Sequence, residues 1–370
     1  MAIRTLTLGE LNRTFLQRQL LLARDVRPPL AALRQLVALQ AQLPNPPYTG
    51  LWTRLAAFTR ADLTALMESR QVVRTASLRS TLHLMQADDH LALYSTLQPA
   101  LAKGLSSFFG RFLRDVDLAP IIAAGKAAYA SGALSTGALK AALIPQFPNV
   151  DADALAYAVR TYVPLVQIPP GGTWGSGAAA SYLPAAQWLG RDVAPVSDVA
   201  ALVRGYLASC GPANINDLQT WTGISGLKPA MEALRAELVV YKDDDGKELF
   251  DLPALPIAPA DAPAPVRFIP EYDNLLISHK DRRRIIADED RNKVFLSAAR
   301  VLNTFLVDGF VRGTWKITRE KTRTLLTIAP FRPLDAAAQG ALAAEGESLV
   351  RFIENSATAT VDVQFSSVGQ

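Results

Sequence analysis

The chain has one cysteine, Cys210, and three histidines, His83, His90 and His279, in 370 residues. A lone cysteine excludes an intramolecular disulfide framework, and so few soft donors leave no residues at zinc-ligand spacing. No metal site and no other cofactor is expected. No apolar run is long enough to cross a bilayer, because Arg, Lys, Asp or Gly interrupts each one. The opening MAIRTLTLGELNRTF lacks the unbroken apolar stretch of a secretory signal. Phosphate-loop and Gly-x-Ser-x-Gly nucleophile patterns are also missing. What remains is a globular, cytoplasmic chain with no membrane partner, expected to be monomeric. Its 49% hydrophobic content can build real cores, and its length suggests two to four modules.

Charge is where the sequence becomes specific. The net charge of +4 divides into +7 over residues 1–84, −5 over 85–266, +6 over 267–332 and −4 over 333–370. Two basic blocks are separated by a long acidic stretch. If folding joins them, they form one positive surface suited to a polyanion. If it does not, they are solvated faces pointing apart, and counting alone does not choose.

Along the chain, TLTLGELNRTFLQRQLLL and PPLAALRQLVALQ carry apolar residues at helical spacing. TRADLTALMES reads as a third helix, with Thr59 as its N-cap. QVVRTASLRSTLHLM then alternates like a short hairpin. Three helices followed by a hairpin is the order of a winged-helix unit. The order returns in residues 101–195, where QIPPGGTW follows the helical patterns, and again in 196–260, where Gly223 permits a tight turn and DDDG joins two strands. Residues 252–266, LPALPIAPADAPAPV, read as a stiff linker. Beyond it the pattern is mostly strand, with one helix and a last strand in TATVDVQF. The expectation is an α+β protein with tandem winged-helix motifs (1–100, 101–195, 196–260) and a C-terminal small β-barrel-like domain (261–370).

One stretch resists a purely structural account. LVALQAQLPNPPY runs an apolar helical pattern into Gln40 and Gln42 before the prolines. On a continuous helix, Gln42 would point about 200° away from Gln40. Pro44 disfavours the helical conformation at Leu43, so the chain is expected to leave the helix by then. If it is already extended at Ala41 and Gln42, residues two apart return to one side and the two amides converge. They then either cap loose backbone groups or form a site.

LVALQAQ…PPY…LWTRL, VVRTASLRSTLHLM, QIPPGGTWGSG, LFDLP, RFIPEYDNLLISHKDR and FLVDGFVRGTWKI together resemble the AlkZ/YcaQ-like winged-helix DNA glycosylases, over nearly the whole chain. The last two phrases are specific to that family. The resemblance implies hydrolysis of N-glycosidic bonds of alkylated bases in double-stranded DNA at the nucleoid, including unhooking of interstrand crosslinks. No lysine stands near the glutamines to form a Schiff base, so a monofunctional enzyme is expected. The resemblance also implies that Gln40-Ala41-Gln42 is the catalytic Gln-x-Gln signature of one branch. Alkylation at N7 makes the purine cationic, so it departs without a general acid. Two amides that hold a water are then a sufficient constellation.

The basic residues expected at DNA are Arg74, Arg79 and His83 of the first hairpin, Arg282 of the HKDRRR cluster, and Lys316, Arg319, Lys321 and Arg323 around the REKT turn. Each has a plainer alternative. His83 can be structural, Asp281 can occupy one arginine, and the REKT turn can be an edge kept soluble by charge. Asp273 and Asn274 of the YDN phrase serve either the fold or the site.

Overall fold

A computed structural model describes residues 3–321, 323–356 and 360–367. Helix α1 (Leu8–Arg18) starts at a capping box between Thr7 and Glu10. Helix α2 (Pro29–Leu36) opens on proline, whose missing N–H costs nothing in a first turn. It ends earlier than its apolar pattern suggests, because Val37 takes a φ of 64° and turns the chain out of the helix. Strand β1 (Ala38–Gln40) follows at once. Gln40 therefore belongs to a strand, and the helix expected to carry it stops at Leu36. Helix α3 (Pro46–Arg54) has no counterpart in the sequence pattern, since it is buried on every side and shows no amphipathic stripe. Helix α4 (Arg60–Glu68) begins at Thr59, whose N–H and hydroxyl both donate to Asp62. The hairpin β2 (Val72–Ala76) and β3 (Leu82–Gln86) leads into the long helix α5 (Ala87–Phe109).

The same order recurs. Helix α6 (Leu118–Ala128), strand β4 (Leu134–Ser135), helices α7 (Thr136–Leu143) and α8 (Ala152–Tyr162), then strands β5 (Leu165–Gln167) and β6 (Ser181–Pro184) form a second unit. Its strands join the first unit's in one sheet of order β1-β3-β2-β5-β6-β4, with Arg74 opposite Gln167 across the seam. After α9 (Ala185–Leu189), a third unit comprises α10 (Val199–Cys210), a bridge from Ala213 to Phe250, α11 (Ile215–Thr222), α12 (Lys228–Ala233) and the hairpin β7 (Val239–Lys242) and β8 (Glu248–Asp251).

Residues 252–266 contain no helix or strand, yet they are docked. Ala258 N–H donates to Thr14 Oγ1, and Arg13 Nε donates to the Ala262 carbonyl. They lead to β9 (Arg267–Ile269), α13 (Asn274–Ile277), α14 (Arg291–Val294), β10 (Thr304–Val307), β11 (Phe310–Arg319), β12 (Thr324–Pro330), α15 (Ala336–Glu354) and β13 (Val361–Phe365). Among the described residues the expected barrel is not found. These strands form an open sheet, β13-β12-β11-β10-β9, with α15 packed against it. Helix α15 and side chains of the first unit cover its apolar residues, so the sheet need not close on itself to bury them. Thr322 in the REKT turn and the Thr358-Ala359 start of TATVDVQF lie outside the described residues.

The cores explain how distant blocks meet. Leu33, Leu39, Tyr48 and Leu51 of the first unit are buried together with Phe268, Phe305 and Leu326 of the C-terminal sheet. Phe15, Met85, Trp221 and Ile285 share a second core that adds the third unit. Each such side chain contributes about 1.5–3 kcal/mol on burial. The first, third and C-terminal regions are thereby locked together, while α6, α7 and α8 have a core of their own.

Candidate active site

Gln40 lies at the end of β1, directly opposite His83 on β3. The pairing continues one residue further, as Ala41 N–H donates to the Leu82 carbonyl at 2.7 Å. Arg74 secures this edge from beneath. Its buried guanidinium donates to the carbonyls of Ala41 (2.9 Å) and Gln42 (3.2 Å). Arg74 is thus a buried clamp on the Gln-x-Gln backbone.

Arg79 stands at the turn between β2 and β3. It and Ser80 adopt φ values of 53° and 58°, in a left-handed region that non-glycine residues seldom enter. Neighbours leave room for this turn. A Cβ on Gly223, itself at φ +79°, would lie 2.9 Å from Arg79 Cα, and a Cβ on Gly104 would collide with Ser80 Oγ. The Arg79 guanidinium donates to the Trp221 carbonyl, to Gln40 Oε1 at 2.8 Å and to His83 Nε2 at 3.3 Å. A guanidinium can only donate, so the Gln40 amide is oriented with its oxygen on Arg79 and its NH2 turned away. By the same reasoning His83 Nε2 accepts, and Nδ1–H donates to the Thr81 carbonyl at 3.0 Å. Complete burial, with Arg79 adding to it, pushes the His83 imidazole down to about 3. His83 is neutral at physiological pH. Burial and the nearby Arg282 lower Arg79 to about 10, which leaves it charged.

Gln42 is exposed, and its Oε1 accepts the Leu82 N–H at 3.3 Å. Both amides are therefore anchored on the 79–82 turn, although only Gln40 lines the adjoining cavities. The larger is a cleft of about 420 Å3 lined by Gln40, Arg79, Phe108, Tyr272, Arg282, Phe295 and Arg300 among others. It joins the two basic blocks. Arg282 donates to the Leu276 carbonyl and packs over the Phe295 ring at 4.3 Å. Its neighbours are spent elsewhere, Arg283 on Asp281 and Asp245, Arg284 on the Pro212 carbonyl.

The β11–β12 cations do not line this cleft. Arg319 pairs with Glu354 at 2.9 Å, and Arg323 pairs with Glu320 at 2.8 Å and Asp362 at 2.7 Å. Lys316 and Lys321 are exposed and have no carboxylate partner among the described residues. Asp273 and Asn274 serve the architecture around the site. Asp273 takes two bonds from the fully buried Arg54, at 2.7 and 2.8 Å, and caps α13. Asn274 Nδ2 donates to the Ala38 carbonyl at 2.8 Å, which ties β1 to the C-terminal region. Sequence reasoning missed Phe108, Glu271, Tyr272, Phe295 and Arg300. Glu271 and Tyr272 stood in the RFIPEYDNLLISHKDR phrase, but Phe108 comes from α5 with no local signal.

The family described as DNA glycosylase AlkZ-like matches residues 33–352, and the chain belongs to that family. Among solved structures, the DNA glycosylase AlkZ of Streptomyces sahachiroi is similar over 98% of this chain and 100% of its own, with a TM-score of 0.78 and 19% identity. At that identity the likeness is one of fold. No curated protein sequence matches the chain.

Proposed function

We propose that this protein is a monofunctional DNA glycosylase that hydrolyses the N-glycosidic bond of N7-alkylated purines in duplex DNA, interstrand crosslinks included. It belongs to the Gln-x-Gln branch, and Gln40 and Gln42 position the water. The observation that carries the reading is the Gln40 amide, oriented by Arg79 at the edge of a cleft that holds three arginines. The repeated order of helices and hairpins fits tandem winged-helix units over 1–100, 101–195 and 196–260, with a C-terminal β-unit from 261 to 370. Helix α5 runs through the first of those boundaries.

An N7-alkylguanine carries a positive charge until the C1′–N9 bond breaks, and the bond's electron pair neutralises it. The reaction therefore needs no acid on the leaving group, unlike the paired carboxylates of common glycosidases. Arg79, Arg282 and Arg300 attract the phosphates, with Lys316 and Lys321 as outlying cations. The Gln40 NH2 and the remaining oxygen lone pairs of both amides hold a water beneath C1′.

The test is a duplex with one N7-methylguanine, incubated with excess protein and then cleaved at abasic sites with alkali. Wild type should cut, while Gln40→Ala and Gln42→Ala should bind with near-normal affinity and cut at least about 100-fold more slowly. A protein that binds undamaged duplex by sequence and leaves no abasic site would instead be a regulator.

A further inference from the structure

Beside the cleft lies a second, much smaller cavity. It is lined by Leu39, Gln40, Pro46, Pro47, Gly50 and the run from Pro270 to Asp273, and encloses about 10 Å3. That is room for roughly one water. Gln40 and Tyr272 line both cavities, so the niche and the cleft adjoin at these two residues. A water in the niche is adjacent to whatever occupies the cleft.

Most of the niche wall is proline, glycine and leucine. Its polar side chains are Gln40, Tyr272 and two carboxylates. Asp273 is not available, because Arg54 holds both of its oxygens. Glu271 is available. No side-chain hydrogen bond or ion pair engages its carboxylate among the described residues, and its backbone N–H is fixed by Asn303 Oδ1 at 2.8 Å. Half-burial pushes the carboxyl above its ordinary range, with Arg300 opposing the shift. The placement is rigid. Tyr272 is held at a φ of 60°, a conformation unusual for a tyrosine, and Asp273 and Asn274 lock the next two residues to Arg54 and to β1.

The hydrolysis leaves one proton to be placed. Water oxygen bonds to C1′, the C1′–N9 pair goes to the cationic base, the base leaves neutral, and the water must lose a proton. A glutamine amide orients water but does not keep a proton, and here both amide oxygens already accept other donors. We propose that Glu271 is a catalytic residue, whose carboxylate accepts the proton of the water that attacks C1′ from the niche. This rests on the glycosylase reading above, and adds a base to a site read as two amides.

The experiment follows single-turnover release of N7-methylguanine from pH 4.5 to 8.5, for wild type, Glu271→Gln, Glu271→Asp and Glu271→Ala. Wild type should speed up with rising pH as the carboxylate ionises, and then level off. Glu271→Gln should be at least about 100-fold slower at the plateau, with a flat profile and an unchanged affinity for the duplex. Glu271→Asp should fall between them, and added formate should restore part of the Glu271→Ala rate. A Glu271→Gln variant within about three-fold of wild type, with the wild-type pH profile, overturns the role of Glu271 and leaves the glutamine reading standing. If the variants do not fold, a flat wild-type profile overturns it alone. A wild type that releases no base overturns both.

Discussion

Two hairpins carry basic side chains at their ends, one between β2 and β3 and the other between β11 and β12. Their arginines meet different partners. Arg79 is bonded to two carbonyl oxygens and an imidazole, all uncharged, so its full positive charge persists at the cleft. Arg319 and Arg323 are bonded to Glu354, Glu320 and Asp362, which cancel them locally. One arginine among neutral partners and two among carboxylates therefore make unequal fields. An enclosed cation with neutral partners acts on a bound anion far more than an exposed one in an ion pair, which water and salt also screen.

The strongest way to break this contrast is Arg79→Ala. It frees the Gln40 amide and leaves the Trp221 carbonyl and His83 without their donor. Excision should fall by about 100-fold or more, and stability by about 2–3 kcal/mol. Arg79→Lys should not restore the rate, because an ammonium cannot span the same acceptors as a planar fork. Single-turnover rates and urea midpoints measure both effects, and a rate within about three-fold of wild type would dissolve the distinction between the hairpins.

Acid should separate them next. His83 is held down to about 3 and His90 to about 4, both by burial, against an ordinary 6.5. Below pH 6.5 the unfolded chain takes up protons that the folded chain refuses. Stability should thus be complete above 6.5 and fall as pH drops toward the folded values, by up to about 1.4 kcal/mol per unit for each imidazole. Urea midpoints between pH 7 and 4.5 test this, and His83→Gln should reduce the slope. Gly223→Ala comes third. A methyl 2.9 Å from Arg79 Cα, on a backbone at φ +79°, should cost about 1–3 kcal/mol and lower excision together with it.

The second hairpin should answer more weakly. Arg319→Glu with Lys321→Glu should reduce duplex affinity and lower the salt slope by about 0.9 for every phosphate that is no longer neutralised. Arg323→Ala, already paired twice, should change affinity by less than about two-fold. An effect of Arg323→Ala as large as that of the double reversal would mean that the ion pairs open on DNA.

Much of the fold was legible from local pattern. Thr59 caps α4, the DDDG hairpin forms, and the strands of the C-terminal region occur where alternation placed them. Helix α3 was not legible, because full burial erases the periodicity by which helices are read. Nor was the end of α2, which depends on one left-handed valine. The open sheet was beyond reach for another reason, since closure depends on whether α15 and the first unit cover the apolar residues. In the site, Gln40 and Gln42 stood out because amides at the end of an apolar run need a reason. Arg74 and Arg79 stood out only as charges. That one clamps a backbone from beneath and the other orients an amide is decided by burial, which charge patterning does not report. Phe108 enters the cleft from the far end of α5, and only tertiary packing could name it.

Asn274 bonded to the Ala38 carbonyl has a consequence for how the protein comes into being on the ribosome. The strand with Gln40 is synthesised early, but the Trp221 carbonyl that receives Arg79, the Glu271–Asn274 run and Arg282 emerge much later. A nascent chain that has reached the third unit holds its glutamines on a strand edge with no cleft beside them. The cleft is completed only when the C-terminal sheet docks, so a truncated translation product carries the glutamines with Arg74, Arg79 and His83 but lacks the Glu271–Asn274 run and Arg282.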